Sequence, residues 1–408
     1  MLRLCLLLKI FLGGLFLNSI KSLENDEKKL FISCYYIFFV NGALALILGA
    51  MLPYIKQTYT LSYKLTGLMI SFHSIGNLIS SFIGGILPVY LGRKKSIMLL
   101  VSTGVIAFIL MILSGNPVLL LAAFFLTGIN RGAVSNFNNT VINDIATGKA
   151  WALNLLHAVF ALGAFTSPFI ALFFTRNNAS NWIFAALTLA FLCFTELIVL
   201  FFMKIPNNNP VAKEKNKISW EFLKNKNFLI ACAILFFYLS AEQAINGWLV
   251  TYFKETKIMS DSFAQSMASL LWIVILFGRL TCAYLSKKIK KSKILVVNGI
   301  GYIIFFAILL SAKTLPSASI GIIGVGFCMA GLYPTTLSSI GNITKKYPLA
   351  LSCILTCASL GAILMPGIIG TIADKIGIAG GMSVLIIAAG FTVLFIILNA
   401  ISRKNDVE

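Results

Sequence analysis

The chain reads as an all-α integral membrane protein of about twelve spans in two pseudo-symmetric six-helix bundles, and three observations lead there. Hydrophobic residues make up 59% of the 408 residues and charged ones only 11%, with a mean hydropathy of +0.92. A soluble chain carries roughly a quarter charged residues. The apolar residues fall into blocks, each near the ~20 residues that a helix needs to cross ~30 Å of hydrocarbon. One lysine-rich stretch, KIPNNNPVAKEKNKISWEFLKNKN, separates about six blocks from about six. Inside lipid the backbone must satisfy its own hydrogen bonds, so each block is expected to be helical. A membrane barrel would instead alternate over segments of ~10 residues, and that pattern is absent.

Taken in order, the spans are expected at 30–54, 64–90, 96–114, 117–139, 152–174 and 181–203, then at 228–252, 264–285, 294–312, 317–341, 348–371 and 379–401. This divides the chain into an N-terminal segment (1–29), a first bundle (30–203), a linker (204–227), a second bundle (228–401) and a short tail (402–408). The opening run MLRLCLLLKIFLGGLFLNS is short and interrupted by Lys9, and reads as an interfacial segment or an extended start. Both halves place a basic turn between their second and third spans, Arg93-Lys94-Lys95 and the lysines of 286–293, as repeated halves would. Gly128xxxGly132 in the fourth span, and Gly361 with Gly367 and Gly370 in the eleventh, suit close helix packing. Pro334 and Pro366 each remove a backbone hydrogen bond and mark places for a kink.

The net charge of +20 invites a nucleic-acid reading, but its distribution argues against one. Most Lys and Arg fall on one set of alternating loops, which is an orientation signal placing both termini and the linker in the cytoplasm. The eight cysteines show no CxxC and lie in apolar runs, so neither a disulfide framework nor a metal site is expected. No cofactor motif occurs, and the partners expected are the lipid bilayer and a small-molecule substrate of a monomer.

Between the second and third spans stands Gly85-Ile-Leu-Pro-Val-Tyr-Leu-Gly92-Arg93-Lys94-Lys95. This resembles the signature loop of the major facilitator superfamily, with its glycines, terminal arginine and basic residue. The family's aspartate is replaced by Val89 and its first arginine by Tyr90, so the gate on this side is expected to be held differently. Further segments look like the fucose permease branch: Asn154, His157, Gly163 and Pro168 in the fifth span, and Tyr238 to Glu242 followed by Gly247, Trp248 and Tyr252 in the seventh. Gly278-Arg279-Leu280 and Gly331-Leu-Tyr333-Pro334 complete the series. The resemblance implies a carrier of a monosaccharide or similar polar solute, often moved with a proton. That branch carries acids where this chain has Gly49 and Ser135, so proton coupling does not simply carry over.

Ionisable groups inside spans are costly and point to function. Glu242, with Gln243 and Asn246 nearby on the seventh span, is the leading coupling residue, against a structural carboxylate paired to a cation. Arg131, near Ser135, Asn138 and Asn139, suits either an anionic or hydroxylated substrate or a cross-bundle pair with Glu242. Arg279 is read as snorkelling toward the nearer loop. Asn154 and His157 share one side of the fifth span and suit sugar hydroxyls as well as a helix–helix hydrogen bond. His73 reads as packing and Glu196 as structural. Trp248 and Tyr333 suit stacking on a sugar face. The expected substrate contacts are therefore Asn154, His157, Asn139, Ser135, Gln243, Asn246, Trp248 and Tyr333, with Glu242, Arg131, Gly85, Gly92, Arg93 and Lys94 in coupling and gating.

The class that fits is a transporter working by alternating access, with a proton or sodium as the candidate coupled ion. An enzyme would need clustered acids or histidines or a phosphate-binding loop, and only 13 acids and two histidines are present. Uptake of a sugar-like solute leads, and efflux of a drug-like or amphipathic compound is the alternative.

Overall fold

The computed structural model describes residues 25–145, 150–205, 219–286 and 288–405. The apolar N-terminal run over 1–20 and the middle of the linker lie outside the described residues. The first half consists of α1 (Asn25–Thr58), α2 (Tyr63–Leu91), α3 (Arg93–Leu113), α4 (Pro117–Ile145), α5 (Ala150–Thr175) and α6 (Trp182–Phe202). The second half consists of α7 (Lys226–Thr256), α8 (Asp261–Leu285), α9 (Lys291–Ser311), α10 (Leu315–Ser339), α11 (Pro348–Ser383) and α12 (Leu385–Asn405).

Among the described residues, eleven helical runs are long and apolar enough to cross a membrane, the last being the 54-residue run Leu349–Ser402. At 1.5 Å per residue that run would measure about 80 Å, far beyond one bilayer, so it must turn back. It does so at Ile376–Gly377, where Gly377 adopts φ +76°, a region an L side chain rarely enters. Two crossings result, which brings the described spans to twelve. The tenth span is interrupted at Ala330–Gly331. Pro334 lacks the N–H that would bond the Ala330 carbonyl, and the helix restarts at Leu332.

Because lipid replaces water outside, large apolar side chains such as Phe173, Phe191 and Phe202 stand outward, while Trp182, Trp248 and Tyr238 are fully buried. Helix starts are capped locally, and equivalent helices of the two halves share one device. Ser62 accepts from the Leu65 N–H at the head of α2, and Ser260 accepts from the Phe263 N–H at the head of α8.

The halves repeat each other in their packing. In the first, α1 lies on α5, α2 on α4, and α3 on α4 and α6; in the second, α7 lies on α11, α8 on α10, and α9 on α10 and α12. The seam between halves obeys the same relation, with α2 against α11, α5 against α8, and α1 against α7. The glycines sit where these helices approach most closely. A Cβ on Gly128 would run into the His73 carbonyl of α2, and one on Gly361 into the Phe236 carbonyl of α7.

Candidate functional site

Successive spans alternate in direction, so the loops at 59–62, 114–116, 176–181, 257–260 and 312–314 share the side opposite the termini, called here the far side. Counting from the far-side helix ends at 1.5 Å per residue sets the depth of each polar group. His73 and Asn246 lie about 15 Å in and Gln243 about 20 Å, with Arg131 and Glu242 at about 21 Å. His157, Tyr238, Arg279 and Tyr333 share a level at about 27 Å. Polar groups from both halves therefore lie well inside the bundle, those at His157, Arg279 and Tyr333 nearer the terminus side.

Arg131 is held by a chain of hydrogen bonds whose direction can be read. The Thr127 hydroxyl donates to the Phe124 carbonyl at 2.6 Å, so it accepts from His73 Nδ1 at 2.9 Å. The other ring nitrogen, Nε2, is then the acceptor that faces Arg131 Nη1 at 3.4 Å. His73 is thus a neutral ring that orients the guanidinium without balancing its charge. His73 also lines a small cavity with Gly49, Ile70, Phe124, Gln243 and Asn246, at the junction of α1, α2, α4 and α7.

On the opposing wall, the Glu242 carboxylate interacts electrostatically with two guanidinium groups, more strongly with Arg279 of α8 than with Arg131 of the facing half. It forms an ion pair with neither. Tyr238 and Tyr333 flank this group with ring centroids 6.3 Å apart. Arg279 Nε is buried without a hydrogen-bond partner, and its charge reaches His157 across the seam. Arg279 therefore faces the interior, which corrects the snorkelling expected from its position near the end of the span.

The expected contacts divide into three groups. Gln243 and Asn246 line the small cavity at the junction of the halves, Arg131 and Tyr333 lie within electrostatic reach of Glu242, and His157 is exposed. Asn139 turns back on its own helix, its amide donating to the Ser135 carbonyl at 2.8 Å, and Asn246 accepts from Trp272 Nε1 at 3.3 Å. Trp248 is fully buried, donates to the Pro366 carbonyl at 3.3 Å and stands 6.1 Å from the Tyr63 ring, which places it in a packing seam rather than on the cavity wall. The Asn154 side chain lies outside the described residues. Glu196 is fully buried inside the first bundle, next to Cys193. His73 and Arg279 are the residues that sequence reasoning undervalued. Their facing partners lie on other helices, and only the GRL tripeptide hinted at one of them.

The seam is closed on the far side. Lys56 of α1 lies 3.3 Å from Glu255 of α7, and the Tyr63 hydroxyl of α2 donates to the same carboxylate. Asp374 of α11 accepts from the Tyr63 and Lys64 N–H groups at 2.7 and 3.0 Å. Gln265 of α8 donates to the Ala50 carbonyl at 2.9 Å, and Ser269 donates to the Phe165 carbonyl at 2.9 Å. Gly49 belongs to this closure: a Cβ there would run into the Asn246 carbonyl. The position at which the resemblance anticipates an acid is occupied by backbone-to-backbone packing.

Polar contacts on the terminus side stay within one half. Arg93 pairs with Asp144 at 2.8 Å, Lys94 donates to the Phe201 and Met203 carbonyls at the end of α6, and Lys291 donates to the Ser338 carbonyl. Gly92 turns the chain between α2 and α3 at φ +77°, and Gly85 stands in open space. The signature loop therefore braces α3 against α4 and α6, and the described ion pairs and backbone caps that cross the seam lie at the far-side ends of the helices.

Residues 34–342 match the family model described as Major Facilitator Superfamily. The protein TsgA homolog of Yersinia enterocolitica is 23% identical over 361 residues, covering 86% of this chain and 89% of that protein. The TsgA homolog of Buchnera aphidicola is 22% identical over 392 residues, covering 93% and 98%. A D-xylose-proton symporter superposes with TM-score 0.75 at 14% identity over 91% of this chain and 96% of its own. The nucleoside transporter NupG gives 0.71 at 16% identity over 92% and 98%. A bacterial homolog of the human lysosomal transporter Spinster, in an inward-facing and unoccupied conformation, gives 0.75 at 14% identity over 94% and 99%. At these identities the solved structures establish the fold.

Proposed function

Because the chain belongs to the Major Facilitator Superfamily, we propose that it carries a small polar solute of the monosaccharide type across a membrane by alternating access. The observation that carries this reading is the small polar space at the junction of the halves, with the seam beyond it closed on the far side. A membrane scaffold has no use for such a space, whereas a carrier needs one that two packings of the same halves expose in turn. The excess of Lys and Arg on one set of loops supports a cytoplasmic side for the linker over 204–227 and both termini, and we read the protein as a monomer.

The likeness to a xylose-proton symporter and a nucleoside transporter supports a hydroxyl-rich solute, as does the fucose permease pattern in α5, α7, α8 and α10. Tyr333, His157, Gln243 and Asn246 supply donors, acceptors and a ring at the right depth. Glu242 is the carboxylate available for coupling, since Gly49 and Ser135 offer none. Proteoliposomes holding the purified chain are expected to show counterflow of at least one of L-fucose, D-xylose and D-glucose or their oxidised derivatives. A pH gradient imposed in the same assay reports coupling. Absence of counterflow for the whole series, with efflux of amphipathic dyes in its place, would overturn the reading.

A further inference from the structure

Resting on the transporter reading, we propose that the solute carries one negative charge, as a sugar acid or other small monocarboxylate does, and that Arg131 and Arg279 hold its carboxylate from opposite halves.

Charges in the space between the halves do not balance. Two guanidinium groups face it, Arg131 from α4 and Arg279 from α8, against one carboxylate, Glu242. His73 contributes no charge, because its hydrogen bonds require the neutral ring. Glu196 does not enter the balance, since it lies within the first bundle beside Cys193 and Arg131 interacts with Glu242. With Glu242 ionised, the described groups thus leave one positive charge uncompensated.

An uncompensated charge in the middle of a membrane protein is costly and is retained where something answers it. The lone partner that restores neutrality is a monoanion; a dianion would reverse the imbalance, and a neutral sugar would leave it standing. The guanidinium groups are also built to receive one. Arg279 Nε is buried with no hydrogen-bond partner. Arg131 is steered by a ring nitrogen on one arm, which leaves its remaining N–H groups for a ligand. A guanidinium presents paired donors that match the two oxygens of a carboxylate, geometry that a lysine ammonium does not offer. Tyr333, within electrostatic reach of Arg279 and tilted at 42° to the buried Tyr238 ring, supplies a hydroxyl and a ring face for the rest of the solute.

The two arginines belong to different halves, so a bound carboxylate bridges the bundles and favours their approach on the terminus side. Binding and closure are then coupled by the same charge that selects the solute.

The test uses the full chain in proteoliposomes at neutral pH and zero membrane potential. Counterflow is measured for D-glucuronate, D-gluconate and L-lactate beside D-glucose and glycerol. At least one acid is expected to exchange tenfold or more faster than its neutral counterpart. Arg279→Gln is expected to lower that exchange at least tenfold, and Arg279→Lys to retain a measurable part of it. Thermal stabilisation of each purified variant by the same acids shows whether binding itself is lost, and a monodisperse elution profile shows that the variant is folded. Arg131→Gln provides the second variant if Arg279→Gln does not fold. Exchange of D-glucose without exchange of any acid would overturn the charge assignment and leave the transporter reading intact. Exchange of none of the five would overturn the charge assignment, and the transporter reading falls with it if L-fucose and D-xylose also fail to exchange.

Discussion

Lys56 Nζ and Glu255 Oε1 stand 3.3 Å apart, joining the last turn of α1 to the last turn of α7 across the seam between the halves. Their side chains are 20% and 27% exposed, and partly solvated pairs contribute only about 0.2–1 kcal/mol. The importance of the pair is geometric. It forms in one packing of the halves, so its small energy goes wholly into the balance between two states. Glu255→Gln is expected to raise far-side labelling of a cysteine placed at Gln243 by about two- to fivefold, in a background freed of native cysteines. Unchanged labelling would remove this pair from the gate.

Asp374 performs a related task with backbone partners. Its carboxylate on α11 accepts from two of the unpaired N–H groups at the start of α2, across the seam. Loss of such a cap costs about 1 kcal/mol, and the anion also answers the positive end of the helix dipole. Asp374→Ala is expected to open the far side more than Asp374→Asn does, read by the same labelling. Equal behaviour of the two, which both lack the charge, would show that hydrogen-bond acceptance by the side chain plays no part beyond the charge.

Gly49 is where the resemblance anticipates a proton-binding acid. Any side chain there meets the Asn246 carbonyl before α1 and α7 can close. Gly49→Asp is therefore expected to abolish exchange, by a factor of ten or more, while the protein still elutes as a folded monomer. A Gly49→Asp variant with intact or newly proton-driven uptake would show that the closure tolerates a side chain.

Glu242 interacts more strongly with Arg279 than with Arg131. The reciprocal exchange Arg131→Glu with Glu242→Arg would set an arginine beside Arg279, and it is expected to recover less than a tenth of wild-type exchange. Substantial recovery would restore the cross-bundle pairing of Arg131 and Glu242 as the working contact, formed in the opposite state.

The residues themselves show why part of this was legible. A span announces itself through ~20 consecutive apolar residues, a local property, so the twelve crossings and the break over 204–227 can be read directly. Buried charges are conspicuous for the same reason, and Arg131 and Glu242 stand out against their apolar neighbours. Proline marks where a kink can form and not where one does: the tenth span breaks four residues before Pro334, while α11 runs through Pro366 and departs from helical geometry only at Ile376–Gly377.

Facing is a different matter. Helical periodicity orders residues around one helix but does not say which helix stands opposite. Nothing near Arg279 indicates that it turns to Glu242, and nothing near Trp248 indicates that it points into α11 instead of the cavity. Gly49 looks like a lost acid until the Asn246 carbonyl, nearly two hundred residues later, is found pressed against it. The sequence by itself determined the number of spans, their division into halves and the few charges placed among them. Tertiary structure alone decided which charges meet, which side is closed and which glycines are contacts, because those depend on packing between helices remote in the chain.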